Sequence, residues 1–135
     1  DLSYCPCLEN ITPLAACSKL QVLNLSHCEQ LREISVLAAL SMLQHLDMSC
    51  TTHVDDIQPL ANCVELLSCD ISWTSVTDLT PLADCRKLQV VDAQGCEELL
   101  QGDAELVSAG VHLSLRPTRE VLRQRVASLS DYLHQ

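Results

Sequence analysis

The residues with the greatest chemical potential in this 135-residue chain are its nine cysteines and five histidines. Three local groupings bring them close together: Cys-Pro-Cys at 5–7, His27-Cys28 followed by Arg32, and Cys-Thr-Thr-His at 50–53. A thiolate near an arginine is the nucleophile of cysteine phosphatases, and paired cysteines, or a cysteine with a histidine, bind zinc. The spacing within each grouping decides whether that chemistry is available.

None of the groupings is complete. The three residues between Cys28 and Arg32 are too few for a cysteine-phosphatase loop. Neither candidate metal pair has a second pair at zinc-finger spacing. The three glycines, Gly95, Gly102 and Gly110, form no phosphate-binding loop. We therefore expect no catalytic residue, no metal, no cofactor and no small-molecule ligand, and the sequence predicts a protein that is not an enzyme.

A repeat organises the chain that carries these residues. The pattern Leu-x-x-Leu-x-Leu-x-x-Cys or Thr, with conservative replacements, begins at Leu20, Leu43, Leu66 and Leu88, with offsets of 23, 23 and 22 residues. It resembles the leucine-rich repeat family, in which each unit supplies one short strand and one return segment and stacks only on its neighbours. Residues 1–5 align with the middle of a repeat, so we expect further sequence or a cap before them.

A second motif opens the return segments. Ile-Thr-Pro-Leu-Ala at 11–15 recurs in related form at 57–61 and 79–83. It looks like the repeat subclass of protein-phosphatase regulators and bacterial internalins, whereas Leu-Ser-His-Cys at 25–28 is similar to the cysteine-containing repeats of F-box proteins. The resemblance implies an α/β leucine-rich repeat solenoid, with a curved parallel β-sheet on the concave face and short helices or turns on the convex face. The property common to the family is protein binding.

The return segments have the pattern of short helices. Their apolar residues recur every three positions, which predicts one buried stripe. Thr12, Ser35 and Thr80 stand where a hydroxyl can cap a helix, and Pro13 and Pro81 follow at the first helical position. We therefore expect these hydroxyls to cap the helices.

The cysteines follow the repeat rather than a disulfide pattern. We expect seven of them to be buried thiols that donate to backbone carbonyls, and Cys7 and Cys50 to lie outside the buried registers. The seven comprise Cys5, Cys28 and Cys96 after the strands, Cys17, Cys63 and Cys85 in the return segments, and Cys69 in place of a strand leucine. Free thiols in packing positions predict a reducing compartment, the cytoplasm or nucleus.

The repeat ends before the end of the chain. Pro117 interrupts the pattern, Thr118 is a candidate N-cap, and apolar residues then recur at helical spacing. We assign residues 1–115 to a solenoid of about five repeats and residues 116–135 to a C-terminal capping helix. The alternative is that this helix begins a longer coiled coil.

Charge is concentrated in the solenoid. Residues 1–115 carry 16 acidic and 4 basic side chains, whereas residues 116–135 carry 2 and 4. Nucleic acid is a poor partner for such a body, because phosphate binding needs clustered lysines and arginines. The chain also contains no run of 18 apolar residues that would span a membrane. We expect a protein partner with a basic or mixed-charge surface, and neither nucleic acid nor membrane.

Strand residues that face away from the leucines are the first candidate binding residues. Side chains alternate along a strand, so the position between the last two apolar residues is expected on the concave face. The position two residues later is also expected to face outward, and we call it the serine column: Ser3, Ser26, Ser49 and Ser72, then Gln94 and Arg116. The first position holds Asn24, Asp47, Asp70 and Asp92. Aspartates on strands about 4.8 Å apart repel one another. A cationic partner would relieve the repulsion; the alternative is that these aspartates only solubilise the surface.

A second column lies one step beyond each strand and contains Tyr4, His27, Cys50, Trp73 and Gly95. Trp73 is the only tryptophan, and tryptophan and tyrosine are enriched in binding hot spots. The alternative is that its ring packs on the loop of an adjacent repeat, near His53 or Val76. The candidate partner-binding residues are Tyr4, Asn24, His27, His45, Asp47, Asp70, Trp73 and Asp92.

These features together predict a protein–protein interaction module that binds through its concave face. Two alternatives remain at this point. One is a structural scaffold segment of a larger cytoskeletal or coiled-coil protein. The other is the substrate-receptor or phosphatase-regulator arm of a larger protein.

Overall fold

The computed structural model describes residues 1–115, and the helix predicted for 116–135, with its capping role, lies outside them. One sheet of five parallel strands runs through the described residues, and the strands follow one another in sequence order. The strands are β1 (Val22–Asn24), β2 (His45–Asp47), β3 (Ser68–Asp70), β4 (Val90–Asp92) and β5 (His112–Ser114). Each strand pairs with the residues 23 or 22 positions later, so equivalent repeat positions form straight columns across the sheet.

Short helices return the chain from one strand to the next. Four are 3₁₀ helices, Thr12–Ala16, Ser35–Ala39, Gln58–Asn62 and Thr80–Asp84, and one is the α-helix α1, Asp103–Ser108. A 3₁₀ helix has three residues per turn, so an apolar residue at every third position stays on one side. Leu37, Leu60 and Leu82 are buried in this way. The parallel sheet and short helices expected from the repeat are confirmed.

The starts of the helices differ from the sequence interpretation. Thr12, Ser35 and Thr80 are the first residues of their helices, and their hydroxyls do not cap them. The Thr12 N–H instead donates to Asn10 Oδ1 (2.9 Å) and the Thr80 N–H to Asp78 Oδ1 (2.8 Å). The hydrogen bond from the Thr80 backbone, followed by that from its side chain, lowers the pKa of Asp78. The predicted hydroxyl caps were wrong, because an acceptor two residues earlier already satisfies the first free N–H.

Thiols form hydrogen bonds between successive repeats in the core. Cys28 Sγ donates to the Leu2 carbonyl and Cys96 Sγ to the Ile71 carbonyl, both at 3.1 Å. In the return segments, Cys63 Sγ donates to the Leu37 carbonyl at 3.3 Å. The expectation of buried packing thiols is confirmed for five residues: Cys28, Cys63, Cys69, Cys85 and Cys96.

Cys17 is a correction to that expectation, because it is exposed. Cys63 and Cys85 are buried because the helix of the preceding repeat lies beside them, and its carbonyls at Leu37 and Leu60 accept from their thiols. Residues 1–11 form no helix that is placed in this way beside Cys17. Within residues 1–115, no helix is long and apolar enough to cross a membrane.

Thiol reactivity should report this arrangement. Burial raises the pKa of Cys63 to about 11 and that of Cys85 to about 12, so few thiolates form there near neutral pH. Cys5, expected to be buried, is only half-buried, as is Cys50. At pH 8, a maleimide dye is expected to modify Cys7 and Cys17 first, Cys5 and Cys50 more slowly, and the five buried cysteines only after denaturation. Mass spectrometry of the digested protein measures the order. Rapid modification of Cys28 or Cys63 in the native protein would contradict the packing of those repeats.

Candidate functional site

The sheet face opposite the helices carries the first group of candidate residues, and we call it the concave face. Along each strand the middle residue points into the core, as Leu23 and Leu46 do, and its two neighbours point outward. The outward residues border a depression of about 370 Å³. They are Val22, Asn24, His45, Asp47, Ser68, Asp70, Val90 and Asp92.

A column of one asparagine and three aspartates crosses the concave face. Asn24, Asp47, Asp70 and Asp92 are direct partners in the strand register and are all half-buried. The Oδ1 atom of each accepts a hydrogen bond, 2.9 to 3.0 Å long, from the backbone N–H two residues later. Each side chain therefore closes a local turn at the end of its strand as well as facing the depression.

The serine column was expected to face outward, and this was wrong for two positions. Ser26 and Ser72 are only 6% and 8% exposed. The hydroxyl of Ser72 donates to Asp70 Oδ1 at 2.6 Å, and that of Ser49 donates to Asp47 Oδ1 at 2.7 Å. Local donors therefore offset part of the repulsion between the aspartates, a compensation that the sequence interpretation had assigned only to a cationic partner.

The second group of candidates adopts an uncommon backbone conformation. Tyr4, His27, Cys50 and Trp73 have φ between +57° and +60°, and Gly95 in the same column has φ +76°. Left-handed conformations at residues other than glycine cost on the order of 1 kcal/mol or more each. We call this set the left-handed column. Gly95 is the sequence signal that such a backbone recurs at this position of the repeat.

Hydrogen bonds between repeats hold the left-handed column in place. The Tyr4 N–H donates to the Ser26 carbonyl at 2.8 Å, and the Trp73 N–H donates to the Gln94 carbonyl at 2.8 Å. The N–H groups of His27 and Cys50 make the equivalent bonds to the next repeat. The backbone hydrogen bonds between neighbouring repeats therefore continue past the ends of the strands. These bonds hold the left-handed column in its strained conformation.

The aromatic rings of the column lie against the next repeat. The Tyr4 ring stacks on the His27 ring, with centroids 4.3 Å apart and planes 8° from parallel. The Trp73 ring covers Gly95 so closely that a Cβ atom there would lie 2.4 Å from Trp73 Cδ2. Packing on an adjacent repeat was the alternative interpretation of Trp73, yet the residue is still 46% exposed. It is thus both packed and accessible.

The candidate residues fall into two neighbouring places. Asn24, His45, Asp47, Asp70 and Asp92 border the depression of the concave face. Tyr4, His27 and Trp73 belong to the left-handed column at the ends of the strands, and Trp73 borders a separate depression with Glu97 and Glu98. His45 Nδ1 lies 2.7 Å from Ser68 Oγ, which fixes the imidazole against β3.

A third depression, of about 750 Å³, lies beside the return segments and contains no predicted site residue. Arg32 borders it together with Asp55, Asp56, Asp78 and Glu98. Among residues 1–115, no group of three or more histidine, cysteine or acidic side chains is arranged to hold a metal ion.

The fold of this chain is similar to the solved structures of two internalins. Internalin C2 from Listeria monocytogenes superposes with a TM-score of 0.67 and 25% sequence identity, over 86% of this chain and 60% of that one. The chain is a leucine-rich repeat solenoid. An internalin encoded by inlF in the same organism gives a TM-score of 0.67 and 24% identity, over 84% of this chain and 40% of that one. The solenoid thus spans less than two thirds of either internalin chain.

No protein-family model matches this leucine-rich repeat chain, and no curated protein matches it. The fold is therefore recognised through the geometry of the repeat and its likeness to the internalin structures. The expected resemblance to leucine-rich repeat proteins is confirmed.

Proposed function

We propose that this leucine-rich repeat solenoid is a protein–protein interaction module that binds a basic or mixed-charge segment of a partner through its concave face. The observation that carries the proposal is the depression where the column of Asn24, Asp47, Asp70 and Asp92 borders exposed valines. Val22 is 63% exposed and Val90 is 43% exposed, on either side of the central strands. Protein interfaces combine exposed apolar contacts of this kind with polar groups that fix the register.

The charge of the solenoid supports a cationic partner. Residues 1–115 carry a net charge of −12 with neutral histidines. A field of one sign speeds the encounter with an oppositely charged segment, and a concave surface focuses that field. The buried free thiols support, as part of the same proposal, a reducing compartment such as the cytoplasm or nucleus.

Replacing Asp47 and Asp70 together with asparagine tests the proposal. Asparagine keeps the Oδ1 acceptor for the following N–H, as Asn24 does in β1, and removes only the charge. We expect the association rate with the partner to fall by about threefold to tenfold at low salt, with a weaker dependence on salt concentration. The partner is first captured on the immobilised wild-type chain, identified and purified. Surface plasmon resonance then measures its association rate with the wild type and with the variant.

The matched control removes the same charge from the helical side of the solenoid. Asp84→Asn with Glu105→Gln changes two exposed carboxylates on a return helix and on α1. This variant should bind the partner at nearly the wild-type rate. A partner that tolerates the concave-face substitutions but loses binding to the helical-side variant would contradict the proposed face.

A further inference from the structure

Two parallel columns of side chains with different chemistry cross the concave face. Asp47, Asp70 and Asp92 are register partners on adjacent strands, and we call them the aspartate column. The second column lies two residues earlier on each strand, about 6.6 Å away, and we call it the valine column. It consists of Val22, His45, Ser68 and Val90. Both columns border the same depression, so a ligand that follows either of them must lie across the strands.

Each member of the aspartate column has one carboxylate oxygen available to a ligand. The Oδ1 atoms of Asp47, Asp70 and Asp92 accept the local hydrogen bonds described above, which hold the carboxylates in place. No hydrogen bond or ion pair within residues 1–115 uses their Oδ2 atoms. No buried side-chain oxygen of that region lacks a partner, so these Oδ2 atoms are open to solvent. Positioned carboxylate oxygens of this kind accept charge-assisted hydrogen bonds from cationic side chains.

The face of the sheet can bind a ligand only through side chains. The strands β2, β3 and β4 are paired on both sides, and on the free side of β1 the Leu2 N–H donates to the Asn24 carbonyl at 2.8 Å. The backbone groups of these strands therefore bond to one another within the sheet. An extended ligand on this face would cover its own N–H and C=O groups without partners, which costs free energy. An α-helix satisfies these groups internally, so the face favours a helical ligand.

The spacing of the aspartate column also matches a helix. Strands about 4.8 Å apart place the column members about 4.8 and 9.6 Å from the first. Helix residues i+3 and i+7 lie on the same side as residue i, at about 4.5 and 10.5 Å along the axis. In an extended chain, the next two residues on the same side lie about 6.6 and 13.2 Å away. The misfit over three strands is therefore about 1 Å for a helix and about 4 Å for an extended chain.

We infer that the concave face binds an amphipathic α-helix of the partner, which lies across the strands. Basic residues at i, i+3 and i+7 of this helix contact the aspartate column, and the adjoining apolar stripe contacts Val22 and Val90. A helix of this kind presents both stripes to one surface. The inference rests on the proposed function, because it specifies the kind of basic segment that the same face accepts.

Three labelled peptides that contain the same residues test the geometry. Each has about 16 residues, which is enough to cross the five strands as a helix. The matched helix carries lysines at i, i+3 and i+7, leucines on the adjoining stripe, and a hydrocarbon staple on the opposite face. The scrambled helix keeps the staple but has its lysines at i, i+2 and i+5, which distributes them around the helix. The extended peptide has no staple, and its lysines alternate with the leucines.

Fluorescence anisotropy with the full chain measures the three affinities. We expect the matched helix to bind at least about tenfold more tightly than either of the other peptides, because it alone places a lysine on each aspartate. Asp47→Asn with Asp70→Asn should weaken the matched helix by at least about fivefold. The helical-side variant, Asp84→Asn with Glu105→Gln, removes the same charge elsewhere and should leave its affinity nearly unchanged.

A second pair of variants tests the apolar stripe. Val22→Thr with Val90→Thr keeps the branched side chains that suit a strand and should weaken the matched helix by at least about threefold. The control is Val64→Thr with Val107→Thr, because these valines are 50% and 60% exposed and lie outside the depression. The control should bind the matched helix as the wild type does. Circular dichroism checks that every variant is folded.

The inference is overturned if the scrambled helix or the extended peptide binds as tightly as the matched helix, if no peptide binds, or if Asp47→Asn with Asp70→Asn leaves the matched helix unaffected. The captured partner tests the proposed function separately, through its association rate with that variant. A slowed partner together with tighter binding of the extended peptide would retain the binding face and exclude the helix. A partner that is not slowed would contradict the proposed face, whatever the peptides show.

Discussion

Replacement of Leu60 by alanine is expected to lower the free energy of unfolding by about 2 to 5 kcal/mol. Leu60 has no exposed surface and lies in the 3₁₀ helix Gln58–Asn62. That helix packs against the return helices of both neighbouring repeats. Truncation removes buried methyl groups and leaves a cavity that the two flanking helices cannot readily fill, so two interfaces between repeats are weakened at once.

Urea denaturation followed by tryptophan fluorescence measures the effect of Leu60→Ala. The control is Leu100→Ala, because Leu100 is 83% exposed and its truncation should change the unfolding free energy by less than about 0.5 kcal/mol. Equal effects from the two leucines would show that the return helix of the central repeat does not pack as described.

Gly102→Ala is expected to destabilise the protein by about 2 to 5 kcal/mol. Gly102 is buried with φ +98°, so a side chain there is strained by roughly 1 to 2 kcal/mol from the backbone alone. A Cβ atom would also lie 2.5 Å from the Thr80 nitrogen and 2.6 Å from the Leu79 carbonyl carbon. Backbone atoms cannot rotate away from such a contact, so overpacking adds about 1 to 3 kcal/mol.

Gly110→Ala is the matched control for Gly102→Ala. Gly110 also has a left-handed backbone, at φ +84°, but a Cβ atom there would meet no atom within 4 Å. It should therefore show only the backbone strain, about 1 to 2 kcal/mol. The difference between the two variants, measured in the same urea titration, isolates the clash. Equal losses would indicate that the last return segment does not pack against Leu79 and Thr80.

The sequence was sufficient to predict the repeated framework of the fold. The spacing of Leu20, Leu43, Leu66 and Leu88 predicted parallel strands in register, because each repeat can bury its apolar residues only against the equivalent residues of a neighbouring repeat. The alternation around Leu23 correctly placed Asn24 outward. Periodicity therefore carries the information for the framework.

Features that depend on individual dihedral angles or on atoms of another repeat were not predictable in this way. The pattern around Thr12 fits a hydroxyl cap, and only the geometry shows that Asn10 supplies the acceptor. Cys17 has the same sequence context as Cys63, yet it is exposed, because residues 1–11 supply no helix like the one that covers Cys63. The half-buried, hydrogen-bonded state of Asp70 likewise depends on the position of the Ser72 side chain.

The candidate site was predicted only as columns of residues. The repeat places Tyr4, His27 and Trp73 in one column, but it does not reveal that the backbone there is left-handed. It also does not reveal that Trp73 lies next to Glu97 and Glu98, since loop conformation decides which residues border the ring. The partner-binding roles of these residues remain predictions.

The order of the strands has a consequence for the rate at which the chain folds. Within residues 1–115, each strand from β1 to β4 pairs with the next one along the chain at a separation of 22 or 23 residues, and no strand of that region pairs across a longer span. The entropy lost in closing each loop is therefore nearly constant from one end of the sheet to the other. Folding can begin at any adjacent pair of repeats and spread outward. Each repeat added to the array therefore brings a similar loop-closure entropy, and the cost of the other steps is unchanged.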